Sequence, residues 1–196
     1  MAFALWTLGV CFIDVRLIGP QGTAVGFAFL NSLCHRITGV HMVLYHITDW
    51  LGLVPFVFVS GFGLVGLTQW IRRKSFMKVD RSLLVLGAFY IAVMAAYMLF
   101  EIITINYRPV LIDGNLETSY PSSTTMLVLC VMLTAILQFN ARIRNQQIKL
   151  IVSLVLTLFT AFMVIGRLIS GVHWFSDIIG GILLSAGLVA LYRSAI

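Results

Sequence analysis

Six apolar stretches run through this chain, and the solvent they need constrains everything else. They extend from Met1 to Val15, Leu51 to Ile71, Leu83 to Thr104, Thr125 to Phe139, Leu150 to Ile165 and Trp174 to Tyr192. A helix crosses a bilayer with about 20 mostly apolar residues, and these runs come close to that. In lipid each backbone polar group must be satisfied within its own segment, which makes such runs helices. Hydrophobic residues make up 60% of the 196-residue chain and charged residues 10%, and the mean hydropathy is +1.02. A soluble domain carries about 25% charged residues. The balance excludes a soluble globular enzyme, a disordered chain and a disulfide scaffold. The first run has no basic n-region and no small-residue cleavage site, so it reads as a retained helix. The expectation is one all-α integral membrane domain over residues 1–196, with six transmembrane helices.

The net charge of +6 finds its explanation in topology. Arg72, Arg73, Lys74, Lys78 and Arg81 lie between the second and third runs. Arg142, Arg144 and Lys149 lie between the fourth and fifth, and Arg193 follows the last. The positive-inside rule puts these segments in the cytoplasm. Six spans then put both termini there as well. No nucleic-acid partner is needed to explain the charge. Cys11, Cys34 and Cys130 are widely spaced and odd in number, which suits packing residues and offers neither a disulfide framework nor a metal pattern.

The segment from Ile18 to Trp50 opens on the turn signal Gly19-Pro20-Gln21-Gly22 and mixes Asn31, His35, Arg36, His41, His46 and Asp49 with apolar residues. One or two amphipathic helices in the outer interface are expected between the first two spans. Trp6, Trp50, Trp70 and Trp174 fall near span ends, as an aromatic belt would. Gly61-x-Gly63-x-x-Gly66 in the second run is expected to permit close helix contact.

Polar residues within or beside spans are costly and mark function. Four such patches fall at one membrane depth. They are Glu101 with Arg108-Pro109, then Tyr120 to Thr125, then Gly166-Arg167, then His173 with Asp177. The four-residue spacing of His173 and Asp177 puts them on one helix face, where a carboxylate can orient an imidazole. Arg108 and Arg167 are planar cations suited to phosphate oxygens. Ser122, Ser123 and Thr124 begin a helix, whose free N–H groups and hydroxyls favour anions. Plainer readings accompany these: a structural His–Asp pair, an interfacial anchor at Arg108-Pro109, and a capped helix start at Pro121-Ser122-Ser123. Glu101 reads slightly better as a buried partner of Arg108, two helical turns away, than as a catalytic group.

The spacing Glu101-x6-Arg108-Pro109, then Pro121-Ser122-Ser123-Thr124, then Gly166-Arg167-x5-His173-x3-Asp177 with Gly180-Gly181 resembles the type-2 phosphatidic acid phosphatases. That family's pattern is K-x6-RP, PSGH and SR-x5-H-x3-D. The chain carries Glu101 for the lysine, Ser123 for the glycine, Thr124 for the histidine and Gly166 for the serine. The resemblance implies a membrane lipid phosphatase acting on a lipid phosphate or pyrophosphate through a phospho-histidine. In it His173 attacks, Asp177 orients it, and Arg108, Arg167, Ser122 and its neighbours Ser123 and Thr124 hold the phosphate, with Glu101 in the same patch. It implies no metal and no cofactor, a site on the non-cytoplasmic face, and a bacterial plasma membrane. The partners expected are a lipid phosphate and the bilayer, with a homodimer left open. With threonine at the acid position, three alternatives stand: a pyrophosphate leaving group, another acid (His41, His46 or Glu101), or head-group transfer between phosphodiesters. A non-catalytic binder of anionic lipids is the non-enzymatic rival.

Overall fold

The computed structural model describes residues 1–196 and is all-helical, with helices α1 (Ala2–Phe12), α2 (Ala28–Thr38), α3 (Met42–Leu51), α4 (Val54–Arg73), α5 (Arg81–Ile102), α6 (Ser123–Arg142), α7 (Gln146–Ile169) and α8 (Phe175–Ala195). Five segments are long and apolar enough to cross a membrane: α3 with α4, then α5, α6, α7 and α8. The sixth span expected over Met1–Val15 is instead the 11-residue α1. At 1.5 Å per residue it rises about 16 Å, about half the hydrocarbon thickness. Trp6 Nε1 donates to Ser176 O (3.0 Å), and Thr7 Oγ1 lies 2.7 Å from Tyr120 Oη. The first contact holds α1 against the start of α8, and the second against the segment just before α6. Five such segments rather than six are found, and the sixth crossing on which the expectation of both termini on one side relies is not among them.

Helix α6 is the axis. Half of its apolar window is buried, and α4, α5, α7 and α8 all pack on it. Met126, Val128, Cys130, Val131, Met132 and Ala135 form the middle of a continuous core. The lipid-facing helices α4 and α7 keep large apolar side chains outside, among them Val57, Leu64, Leu154 and Leu158. In water that surface would drive aggregation; in a bilayer it is the ordinary outer face. The glycines at 61, 63 and 66 meet no helix: a Cβ at any of them would touch nothing within 4 Å. Gly63 and Gly66 border an apolar groove between α4 and α5 instead.

The segment between the first two apolar runs does form two helices, α2 and α3, as its amphipathic pattern suggests. Helix α3 packs on α7, which requires Gly166, since a Cβ there would sit 2.8 Å from Thr48 Cγ2. Residues 103–122 fold back as a hairpin-like loop without strands. Arg108 N donates to Glu117 O (3.0 Å) and Ser119 N to Asn106 O (2.9 Å), and the turn falls at Asp113-Gly114. Its return arm lies on α8, where Ser122 N donates to Asp177 O (3.0 Å). The absence of a side chain at Gly180 makes room, because a Cβ there would come within 2.6 Å of the Tyr120 ring. The three free cysteines form no disulfide.

Candidate active site

The α7–α8 turn, the start of α8 and the 103–122 loop meet at His173, which is 3% exposed. Asp177, one helical turn on, is fully buried and receives four donors. Ser119 Oγ (2.5 Å) and the Trp174 N–H (2.9 Å) reach Oδ2; Asn106 Nδ2 (3.1 Å) and Ser176 Oγ (3.3 Å) reach Oδ1. The direct separation of His173 Nδ1 from Asp177 Oδ2 is 4.0 Å, too long for a hydrogen bond. Ser119 fills the gap, with its Oγ 3.0 Å from His173 Nδ1. A hydroxyl has one proton to give. Ser119 gives it to Asp177, so it accepts from the Nδ1–H of His173. That fixes the tautomer and leaves Nε2 with a bare lone pair. Nε2 is buried and has no partner. Burial holds His173 well below the ordinary imidazole range, and the charges of Arg108 and Arg167 reinforce this.

The two arginines come from different elements, Arg108 from the loop and Arg167 from the last turn of α7. Tyr45 of α3 lies beneath both guanidiniums, with ring-centroid distances of 5.8 Å to Arg108 and 5.0 Å to Arg167. This is cation–π geometry. Thr48 Oγ1 is 3.5 Å from Arg167 Nη1, and Asp49 Oδ1 is 3.6 Å from Arg167 Nη2. Arg108 Nε lies 3.0 Å from Glu117 Oε2, yet its N–H is out of line. Nε and Nη1 of Arg108 and Nε of Arg167 are therefore buried without hydrogen-bond acceptors. The hydroxyls of Ser122 and Thr125 are likewise unpartnered. Buried polar groups are almost always satisfied, and this set is one an oxyanion would satisfy. Ser122 is the N-cap residue of α6, but its hydroxyl does not cap the helix, contrary to the simple capping reading.

A cavity of about 530 Å³ opens beside them, with Arg108, Arg167, Ser123, Thr124, Glu101 and Glu117 in its wall. Glu101 also lines the narrow cleft that reaches His173. Glu101 is not the partner of Arg108. The helix ends at Ile102, so the two-turn spacing does not apply, and its carboxylate accepts from Thr118 Oγ1 (3.1 Å). Arg108 takes Glu117 instead. His41 and His46 are absent from both linings; His41 Nε2 lies 2.9 Å from Thr38 O. Trp174 and Trp6 are drawn out of the expected belt to brace the site. The indole N–H of Trp174 donates to Tyr107 O (2.8 Å), and Trp6 holds Ser176. Trp50 and Trp70 stay exposed.

The site thus brings together His173, Asp177, Arg108, Arg167, Ser122, Ser123, Thr124 and Glu101, and adds Ser119, Asn106, Tyr45, Asp49 and Glu117. Ser119 stands next to the Tyr120-Pro121 motif and Asn106 two residues before Arg108; that adjacency is the one signal the sequence offered for them. No three His, Cys, Asp or Glu side chains converge as a metal-binding group.

The structure is similar to a crystal structure described as the first transmembrane PAP2 type phosphatidylglycerolphosphate phosphatase from Bacillus subtilis. The TM-score is 0.59 at 19% identity, covering 98% of this chain and 91% of that one. At that identity the likeness speaks for the fold. No curated protein matches the sequence. The model of the PAP2 superfamily matches residues 88–196, the stretch from the middle of α5 onward that holds the loop, both arginines and the His173–Asp177 turn. The chain belongs to the PAP2 superfamily.

Proposed function

We propose that the protein is a membrane-embedded lipid phosphatase in which His173 Nε2 attacks the phosphorus of a lipid phosphate or pyrophosphate. The observation that carries this is the buried, unpartnered Nε2 of an imidazole whose other nitrogen is held through Ser119 by Asp177. The P–O bond to the leaving group breaks as the N–P bond forms. Arg108 and Arg167 supply the N–H groups for the equatorial oxygens, where charge stabilisation does most of the work. Water then attacks the phospho-histidine, releasing phosphate and restoring the lone pair. A pyrophosphate leaves as phosphate and needs little protonation, which suits a site with Thr124 where an acid would stand. Glu101 is the carboxyl group nearest in role to such an acid, because it lines both the cavity and the cleft. No metal takes part in this scheme.

The basic residues between α4 and α5, between α6 and α7 and after α8 all lie at the bundle end away from His173. With positive residues inside, the site faces the non-cytoplasmic side, as in a bacterial plasma membrane. Head-group transfer to a lipid alcohol is the second reading. What favours it is the carboxylate lining of Glu101, Glu117 and Asp49, which opposes a dianion more than a diester monoanion.

The test is phosphate release from detergent-purified protein with a lipid monophosphate, a lipid pyrophosphate and a phosphodiester lipid, chelator present throughout, with and without His173→Ala. Release lost in the variant and kept in chelator is the expected result. Release that persists without His173 removes it as nucleophile. No release from any substrate leaves head-group transfer or a lipid binder.

A further inference from the structure

The cavity beside the arginines is wrongly charged for a phosphate alone. Two guanidiniums, Arg108 and Arg167, share its wall with three carboxylates, Asp49, Glu101 and Glu117. The wall is therefore negative by one charge before any ligand arrives. A phosphate monoester dianion deepens that to three in a partly desolvated site, where uncompensated like charge is expensive. The carboxylates are not simply consumed by the arginines. Glu101 accepts from Thr118 and is in no ion pair, Asp49 stands 3.6 Å from Arg167 with its side chain 56% exposed, and Arg108, although its Nε lies 3.0 Å from Glu117, keeps Nη1 free. The three do not gather tightly enough to share one metal ion with each other. They are dispersed around the rim as for a broader cation. Meanwhile the unpartnered Nε of Arg167, in a side chain only 2% exposed, marks where an anion goes.

We infer that the ligand is a zwitterionic lipid phosphate: a phosphoryl group seated on Arg108 and Arg167, with an ammonium close by in the chain or headgroup, seated among Asp49, Glu101 and Glu117. Such a ligand adds an anion for the guanidiniums and a cation for the carboxylates. The apolar part of the same wall, Leu53, Phe56, Met94 and Leu127, takes the start of the tail. Two lipid chemistries share this pattern, a 2-amino long-chain alcohol phosphate and an aminoalkyl phosphodiester. The inference rests on the reading of the two arginines as the phosphate holders.

Binding by the full chain carrying His173→Ala, so that bound lipid is not consumed, tests it by calorimetry with short-chain lipids. The probes are a 2-amino long-chain alcohol phosphate, phosphatidylethanolamine, phosphatidic acid and phosphatidylglycerol, with tail-free phosphoethanolamine. At least one ammonium-bearing lipid should bind about tenfold tighter than its ammonium-free counterpart, the scale of one charged hydrogen bond. The member of the pair that shows the gain identifies the chemistry. Glu101→Gln and Glu117→Gln should weaken that lipid and tighten phosphatidic acid; Asp49→Asn, on a side chain 56% exposed, should do the same more weakly. Phosphoethanolamine binding as tightly as the lipids would keep the ammonium–phosphate pairing and assign it to a soluble donor. Phosphatidic acid and phosphatidylglycerol binding as tightly as the ammonium lipids, or variants moving all ligands in one direction, would overturn the inference. Binding of every probe unaltered by Arg167→Ala would overturn the phosphate reading beneath it, whatever the carboxylate variants do.

Discussion

Both ends of the helix bundle hold polar side chains between helices, and they treat them in opposite ways. At the basic end the side chains answer one another. Gln138 donates to Ser82 O (3.2 Å) and to Tyr192 Oη, Arg142 donates to Gln138, and Ser153 Oγ donates to Asn140 Oδ1 (3.2 Å). The Asn145 side chain caps α7 through the N–H groups of Gln147 and Ile148. At the other end, Arg108, Ser122, Thr125, Arg167 and His173 all hold buried atoms with no partner. Between membrane helices a satisfied polar network is adhesive. An unsatisfied one costs stability, and a chain keeps it where a ligand completes it. The difference separates the residues that hold helices together from those that meet a substrate.

The largest effects should come from breaking the unsatisfied end. His173→Ala should lower phosphate release by at least ~10³-fold, as for loss of a covalent nucleophile, with the melting temperature little changed. Arg167→Lys comes next, at about 10²-fold in kcat/KM, since an ammonium offers no planar fork to the phosphate oxygens. Steady-state kinetics on the preferred substrate reads both. A near-silent Arg167→Lys would mean that a point charge suffices there.

Smaller effects separate position from charge. Ser119→Ala removes the bridge between Asp177 and His173 and should cost about tenfold to a hundredfold in kcat, with KM nearly unchanged. A pH profile gives a second handle. Burial and the two arginines hold His173 below the usual imidazole range, so it stays unprotonated into mildly acidic solution. Activity should fall only well below about pH 6.5, the ordinary imidazole value. Arg108→Gln removes one of the repelling cations. Its acid limb should therefore move up in pH, apart from any loss of rate. A downward shift, or none, would show that Arg108 does not act on His173 by charge.

The five long apolar segments were legible because hydropathy reports the solvent directly, and the site motifs because their spacing is local, although the 103–122 loop and the α7–α8 turn, not helices, carry Arg108 and His173. Hydropathy alone overstates the first helix, since the Met1–Val15 run is mostly apolar but ends as a helix at Phe12. Residues that joined the site through tertiary contact were not legible. Tyr45 and Asp49 reach the arginines only because α3 lies across α7, and Gly166 permits that without any local pattern to announce it. Helical spacing pairs Glu101 with Arg108, but the helix stops one residue after Glu101. Glu117 pairs with Arg108 by folding of the loop, which no periodicity describes.

The smallest expected effect on activity sharpens the comparison most. Gln138 is 1% exposed and ties Ser82, at the start of α5, to Tyr192, near the end of α8. Gln138→Ala leaves Tyr192 Oη and Arg142 short of partners in the interior. It should therefore lower stability by about 1–3 kcal/mol, read as a fall in the midpoint of thermal or denaturant unfolding in detergent. The core of α6 from Met126 to Ala135 separates that end from His173. Phosphate release at a temperature where the variant is fully folded should match the wild type. A kcat that fell with stability would mean that the basic end shapes the geometry at His173 through α6 and α8, and the division between the two ends would then be one of degree.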